Sequence, residues 1–313
     1  MTIGLISPTA ASRATDQYNA VYEVLHPFPM FSDAGCQGRY YWPDMENGYR
    51  TARDVASGRL YHYGDFTPEW LEDTLRNKVI HCADPAKLND PWDCRVWFDY
   101  APHLRNPAER EKLIAFYRKS ISPETLNDPL RPIFENRLRN NDEELIRAVE
   151  QSSAFLTQHL QQRRIYCLTP DPLSTLMWSH YGGDHTGICL EFHVGNSLFW
   201  AARGVRYREA YPAFVLTEVN SSNAIDFILT KAKCWEYEQE YRLIGSPKLP
   251  DNDPLKLHGD FLKLPDRSLL SVIVGCSGDY VGVKKIVEAA APEVRVIQVL
   301  RAPNQYNLMM SLQ

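Results

Sequence analysis

The stretch Trp235-Glu236-Tyr237-Glu238-Gln239-Glu240-Tyr241-Arg242-Leu243-Ile244 sets two carboxylates two residues apart, where the chain turns from polar to apolar. Side chains two apart share a face in an extended strand. The spacing therefore predicts a strand over 240–244, with Glu238, Glu240 and Arg242 aligned on one side. Neighbouring carboxylates repel each other. Arg242 can relieve that repulsion in a surface ion-pair ladder, or the pair can face a substrate on which positive charge develops. This pair is the chain's first candidate for chemistry.

Around it the pattern is one of short strands with unevenly spaced helices. Strands are expected at Leu60–Tyr63, Val79–Cys82, Ile165–Leu168, Gly187–Phe192, Gly204–Arg208, Leu269–Val274 and Val294–Leu300. A helix should start at Pro68, with Thr67 as its N-cap, and run to about Arg76. Others are expected over Leu173–Tyr181, stopped by Gly182-Gly183, over Ala224–Cys234, and over about Val281–Ala290. This order predicts an α+β fold rather than a doubly wound parallel sheet. A helical pattern broken by Pro123, Pro129 and Pro132 reads as an insertion at about 105–164. Residues 1–57, irregular and rich in aromatics, read as an arm packed onto an α+β domain spanning 58–313.

With 313 residues and 44% hydrophobic content, the chain can bury a large core. It has no apolar run of about 18 residues, so no membrane span is expected. Met1–Ala11 lacks the features of a signal peptide. The seven cysteines form no C-x-x-C pair, which points to reduced thiols and a cytoplasmic location. A net charge of −5 argues against a broad grip on nucleic acid and leaves a local basic patch open. His180, Asp184, His185, Cys189 and His193 crowd together, but no H-E-x-x-H occurs and Gly182-Gly183 interrupts the helix, so no metal site is expected. Gly275-Cys276-Ser277-Gly278 lacks the lysine of a phosphate loop and reads as an ordinary strand-to-helix turn.

A tyrosine, a histidine and a carboxylate pair at strand starts would suit a ribose and a flat heterocycle. Rings stack on the heterocycle, while imidazole and carboxylate hydrogen-bond hydroxyls. Core packing is the plain alternative for the tyrosines.

Leu60-Tyr61-His62-Tyr63, Asn89-Asp90-Pro91-Trp92-Asp93, Trp178-Ser179-His180-Tyr181 with His185-x-Gly187, and Trp235-x-x-Glu238-x-Glu240-Tyr241-Arg242 together resemble a bacterial family, domain of unknown function 2971, over about residues 59–275 without the insertion. More weakly, the order His62, Thr169, Tyr181, Gly187–Phe192, Glu238-x-Glu240 resembles the ADP-ribosyltransferase fold. That second resemblance implies a split, twisted sheet and an NAD-dependent ADP-ribosyltransferase, such as a toxin or anti-phage defence effector. Its partners would be NAD as substrate and a protein or nucleic-acid acceptor, with room for an inhibitory partner protein and no membrane. It implies Glu240 as the catalytic carboxylate at a ribose hydroxyl, Glu238 orienting the acceptor and His62 on the adenosine-side ribose. Tyr63 and Tyr181 would lie on the nicotinamide, with Tyr61 as substitute, and Thr169 at the cofactor strand. The rivals are a non-catalytic binding module of the same fold, and a metal-dependent hydrolase of nucleotides or nucleic acid using Glu238, Glu240 and Asp90.

Overall fold

The computed structural model describes residues 48–120, 131–219 and 224–311. Most of the arm expected over 1–57 lies outside the described residues. The architecture is mixed α+β, and the chain divides into two compact units.

The first unit takes in 96–156 and 213–225 among the described residues. Its helices are Ala101–Arg105, Pro107–Ser120, Arg131–Asn140 and most of Asp142–Leu160. In the last of these, Leu145, Ala148, Val149, Ser152 and Leu156 are buried, the three-and-four spacing of a helix with one inward stripe. Arg118 forks onto Glu135 at 3.0 and 2.6 Å on the polar side.

The second unit holds the sheets. Its strands are β1 (Arg59–Gly64), β2 (Val79–His81), β3 (Arg164–Leu168), β4 (Ile188–His193), β5 (Arg203–Gly204), β6 (Arg206–Arg208), β7 (Thr230–Ala232), β8 (Tyr241–Gly245), β9 (Phe261–Lys263), β10 (Leu269–Val274), β11 (Arg295–Arg301) and β12 (Leu308–Met310). A five-stranded sheet runs β1-β4-β10-β11-β12, antiparallel except for β10–β11. A three-stranded sheet runs β3-β8-β5, and two ribbons pair β2 with β9 and β6 with β7. β4 is buried along Ile188–Phe192, as a strand covered on both faces must be. Helices Pro68–Asn77 and Tyr280–Ala290 pack against each other, and both supply buried residues to the main core with Leu60, Leu190 and Val272. Thr67 caps the first through Trp70 N–H, and Asp279 caps the second through Gly282 N–H.

A backbone bridge joins the two larger sheets. Tyr61 and Thr169 exchange backbone hydrogen bonds of 2.8 Å each way. Beyond that bridge β1 pairs with β4, while β3 pairs with β8.

Two local expectations fail here. Residues 224–234 form no long helix: a single turn, Asp226–Leu229, gives way to β7, whose parallel pairing with β6 overrides helical periodicity. Glu238 and Glu240 also do not share a strand face. Lys233–Glu238 is a 3-10 turn, Gln239 is left-handed at φ 47, and the strand begins only at Tyr241. The turn tightens the chain before the extended pairing starts, so the two carboxylates meet through a reversal rather than through strand alternation.

Candidate functional site

Five charged side chains converge beside the bridge. Arg242, in the middle of β8, is fully buried. Its guanidinium forks onto Glu240, Nε–Oε1 2.7 Å and Nη2–Oε2 2.9 Å. It also grips Asp93, with Nη1–Oδ1 at 2.8 Å and Nη2–Oδ2 at 2.5 Å. Asp93 is held by a turn in which Asp90 Oδ1 accepts from Trp92 N–H at 2.9 Å. Lys231 reaches in from β7, with Nζ 2.7 Å from Glu238 Oε2, 3.5 Å from Glu240 Oε2 and 3.8 Å from Asp93 Oδ2. Three carboxylates face two cations, a formal net of −1, and all five residues are buried.

A short relay leads outward from Glu238. Tyr181 O–H donates to its Oε1 at 2.6 Å, and Asn89 Nδ2 donates to the Tyr181 oxygen at 2.8 Å. Tyr181 closes the helix Thr175–Tyr181, which Ser174 caps through Met177 N–H. His62 Nδ1 lies 2.7 Å from the Cys167 carbonyl oxygen, and its ring stacks on Tyr166 at 4.0 Å. A carbonyl only accepts, so Nδ1 carries the proton and Nε2 keeps a free lone pair.

Burial and charge move the titrations in opposite directions. Burial pushes Glu240 up, but Arg242 and Lys231 outweigh it and hold the carboxyl down at about 2. Glu238 is raised, first by burial and then by the Glu240 charge. Burial pulls Lys231 down, yet Glu240, Glu238 and Asp93 bring its net shift upward. Burial drops His62 to about 4, so the imidazole is neutral near pH 7.

A cavity of about 270 Å³ opens onto this cluster. The residues that the sequence nominated for NAD all line it, namely Tyr61, His62, Tyr63, Thr169, Tyr181, Glu238 and Glu240, whereas Asp90, nominated with the two glutamates for a metal-dependent hydrolase, does not. Segments far apart in sequence are thus gathered at one point of the fold, though not all are equally available. Tyr61 and Tyr63 also sit in a core cluster with Trp178 and Ile273. The Tyr63 hydroxyl is spent on the Asp171 carbonyl at 2.8 Å. Thr169 Oγ1 accepts from Asp171 N–H at 3.3 Å.

Sequence reading passed over Lys231, because a helix over 224–234 gave it no inward direction. A lysine two residues after the apolar run Phe227-Ile228-Leu229 was the available signal. Asp93, named there only within the Asn89–Asp93 motif, is a full member of the cluster.

Residues 177–243 match the model of a family described as a protein of unknown function, DUF2971. The matched segment carries Tyr181, Lys231, Glu238, Glu240 and Arg242, and supports the resemblance drawn from the motifs. No curated protein and no solved structure matches the chain significantly. The matched segment therefore supplies both cations and two of the three carboxylates, while His62, Asn89 and the third carboxylate, Asp93, come from the chain preceding it. Among the described residues no group of three or more His, Cys, Asp or Glu side chains converges as metal ligands. His193 Nδ1 accepts from Gly195 N–H at 3.3 Å, His180 bonds Tyr237, and Cys189 lies in the core. Among the described residues no helix is long and apolar enough to cross a membrane.

Proposed function

We propose that this cavity binds NAD and that the protein transfers its ADP-ribosyl group to a macromolecular acceptor. One observation supports this above the rest: His62, Tyr181 and the Glu238/Glu240 pair line one cavity, above a buried cluster of net negative charge. In the reaction the ribosyl C1′–N bond breaks and its electron pair leaves with nicotinamide. The ribose becomes oxocarbenium-like, as in glycoside hydrolysis. The acceptor nucleophile then bonds to C1′ and gives up its proton. A fixed carboxylate beside C1′ favours the cationic transition state over the ground state.

Hydrogen-bond capacity assigns that role to Glu238 in place of Glu240. A carboxylate offers about four acceptor sites. Glu240 has both oxygens locked in the buried Arg242 fork, from Nε and Nη2, with Lys231 Nζ a further 3.5 Å from Oε2. Glu238 accepts only from Lys231 and Tyr181, and so keeps room for a ribose hydroxyl. Glu240 then anchors the cations that position Glu238. His62 Nε2 accepts from a second hydroxyl, and the Tyr181 ring packs on the nicotinamide. At about 270 Å³ the cavity sits near the lower end of small-molecule sites, roughly 300–1,000 Å³, so it takes the nicotinamide-ribosyl half and leaves the rest of the dinucleotide outside.

The test is nicotinamide release from NAD by the full chain. Glu238→Gln should lower it by about 10²-fold or more, in the range seen when a transition-state charge partner is removed, with the melting temperature little changed. Absence of turnover together with absence of an NAD-induced melting shift would overturn the reading. A second reading has its own observation: each charge of the cluster already has a counter-ion, so the site could bind a nucleotide without turning it over. An NAD-induced shift with no nicotinamide release would select it. A divalent cation among the carboxylates would have to displace Lys231 and Arg242, and activity that persists in a chelator excludes that route.

A further inference from the structure

The far side of the same loop carries a second surface. The 233–240 segment turns Glu238 and Glu240 to the NAD cavity, and Glu236 and Gln239 to a shallow basin bordered by Arg50, Arg206 and Arg208. Arg208 also lines an adjoining cavity of about 220 Å³, together with Arg95, Trp92, Tyr211 and Asp90. Lys231 lines both this cavity and the NAD cavity.

Three features of this surface stay unused. Trp92 and Tyr211 are 66% and 38% exposed, with ring centroids 6.1 Å apart and planes 57° apart. They form an aromatic corner, in which a flat ring can stack on one and meet the other edge-on. Tyr211 is fixed there through its hydroxyl, which donates to the Arg95 carbonyl at 2.6 Å. Asp90 is 3% exposed, and its Oδ2 has no hydrogen-bond partner, a vacancy that is costly unless a donor fills it. Among the described residues, Arg50, Arg95 and Arg208 have no carboxylate partner within 4.0 Å, although Arg50 donates to the Val205 carbonyl at 3.3 Å and lies over the Tyr241 ring; Glu236 is matched by Lys233 and Asp226 by Arg206, and Glu209 also lines the cavity.

The geometry points to a binding track for single-stranded nucleic acid: one unstacked base enters the Trp92/Tyr211 corner, an N–H of that base meets Asp90, and flanking phosphates lie on Arg208, Arg95 and Arg50. Guanidinium forks fit phosphate oxygens, and exposed rings stack on any base. A duplex keeps its bases stacked and offers none to the corner. A basic peptide is repelled by the three arginines, and an acidic one, although its backbone N–H groups can meet Asp90, offers no flat base flanked by phosphates to the corner. The net charge of −5 does not oppose this, because the arginines are clustered locally. The track rests on the transfer reading only in naming the strand as acceptor; binding itself stands apart from NAD.

The experiment is fluorescence anisotropy without NAD, using labelled single-stranded DNA and RNA of about 12 nucleotides, within the site sizes such grooves take. The single strand should bind at least about tenfold more tightly than the matching duplex, with a log–log salt slope near −2 for three phosphates at about 0.7 each. Trp92→Ala, a change at an exposed ring, should weaken binding about tenfold. Arg208→Ala should bring the slope about 0.7 closer to zero. Both variants should keep the NAD-induced melting shift, which separates failure of the track from failure of the NAD site. Four results would overturn the track: no binding, equal binding of duplex, affinity untouched by both substitutions, or mononucleotides binding as tightly as the strand.

Discussion

Two buried glutamates of the second unit have different surroundings. Glu191, on β4, and Glu240, just before β8, are each 4% exposed. Glu191 is served from the surface: Arg59 bonds it with a side chain 38% exposed, Arg295 stands 3.4 Å away at 53% exposure, and Ser271 donates from the neighbouring strand. Glu240 is served from inside, by Arg242 at 0% and Lys231 at 5% exposure. A carboxylate within reach of solvated arginines can draw on them at little expense. Drawing two cations out of water demands close, well-bonded partners, and leaving one partner unmatched is costly. The first arrangement is what a fold needs to tolerate an acid. The second keeps charge fixed beside a cavity.

Breaking the inner cluster should have the largest effect. Arg242→Leu leaves Asp93 and Glu240 with only Lys231 between them, and should destabilise the protein by about 3–5 kcal/mol in urea unfolding. Arg59→Ala should lie within about 1 kcal/mol of wild type, since Arg295 and Ser271 remain and Arg59 is solvated. Equal losses from the two substitutions would erase the distinction.

Acid should separate the two regions next. His62 falls from 6.5 to about 4 on folding, chiefly by burial, with the Cys167 carbonyl pulling back. A group buried in its neutral form stabilises fully above its unfolded value, and that contribution is lost as pH falls through 6.5 towards 4. Glu240, held down at about 2, keeps its contribution above its ordinary 4.5 and loses it between 4.5 and 2. Glu238, shifted upward, works against it and favours the folded state as it protonates. Stability measured from pH 7 to 4 should therefore fall more steeply in wild type than in His62→Asn, which retains a donor for Cys167. Parallel curves would show that His62 is not buried neutral.

How much of this could be read from residue order follows from the same contrast. Strand residues in continuous apolar runs, such as Ile188–Phe192 and Leu269–Val274, announced themselves, as did the Thr67-Pro68 helix start. Local chemistry sets those elements. The Glu238/Glu240 pair was visible as a charge anomaly, but its geometry was not. A 3-10 turn and a left-handed Gln239 depend on how β6 and β7 pair, and that is a long-range event. Lys231 was hidden for the same reason. Arg242 stood out in sequence only as a partner for neighbouring acids; its grip on Asp93, 149 residues away, is a tertiary fact. The site residues are gathered on one cavity by long-range pairings such as the Tyr61–Thr169 bridge and the His62–Cys167 hydrogen bond, which no periodicity encodes.

The smallest expected effect lies at Tyr166, on β3. Its ring stacks on His62 and meets Phe192 edge-on at 6.1 Å, and its hydroxyl is buried with no partner. An unpaired neutral hydroxyl carries only part of the penalty of an unpaired charge, about 1–3 kcal/mol of lost solvation. Tyr166→Phe removes that penalty and keeps the ring, so it should raise stability by up to about 1 kcal/mol, a few degrees or less in melting temperature. The result sharpens the comparison because it sets a scale. If losing a lone hydroxyl gains little while losing Arg242 costs several times as much, then charge pairing, rather than polarity as such, limits what this interior can hold. A clear loss in Tyr166→Phe would mean that the hydroxyl has a donor or acceptor in solution, and the scale would have to be redrawn from the charged positions alone.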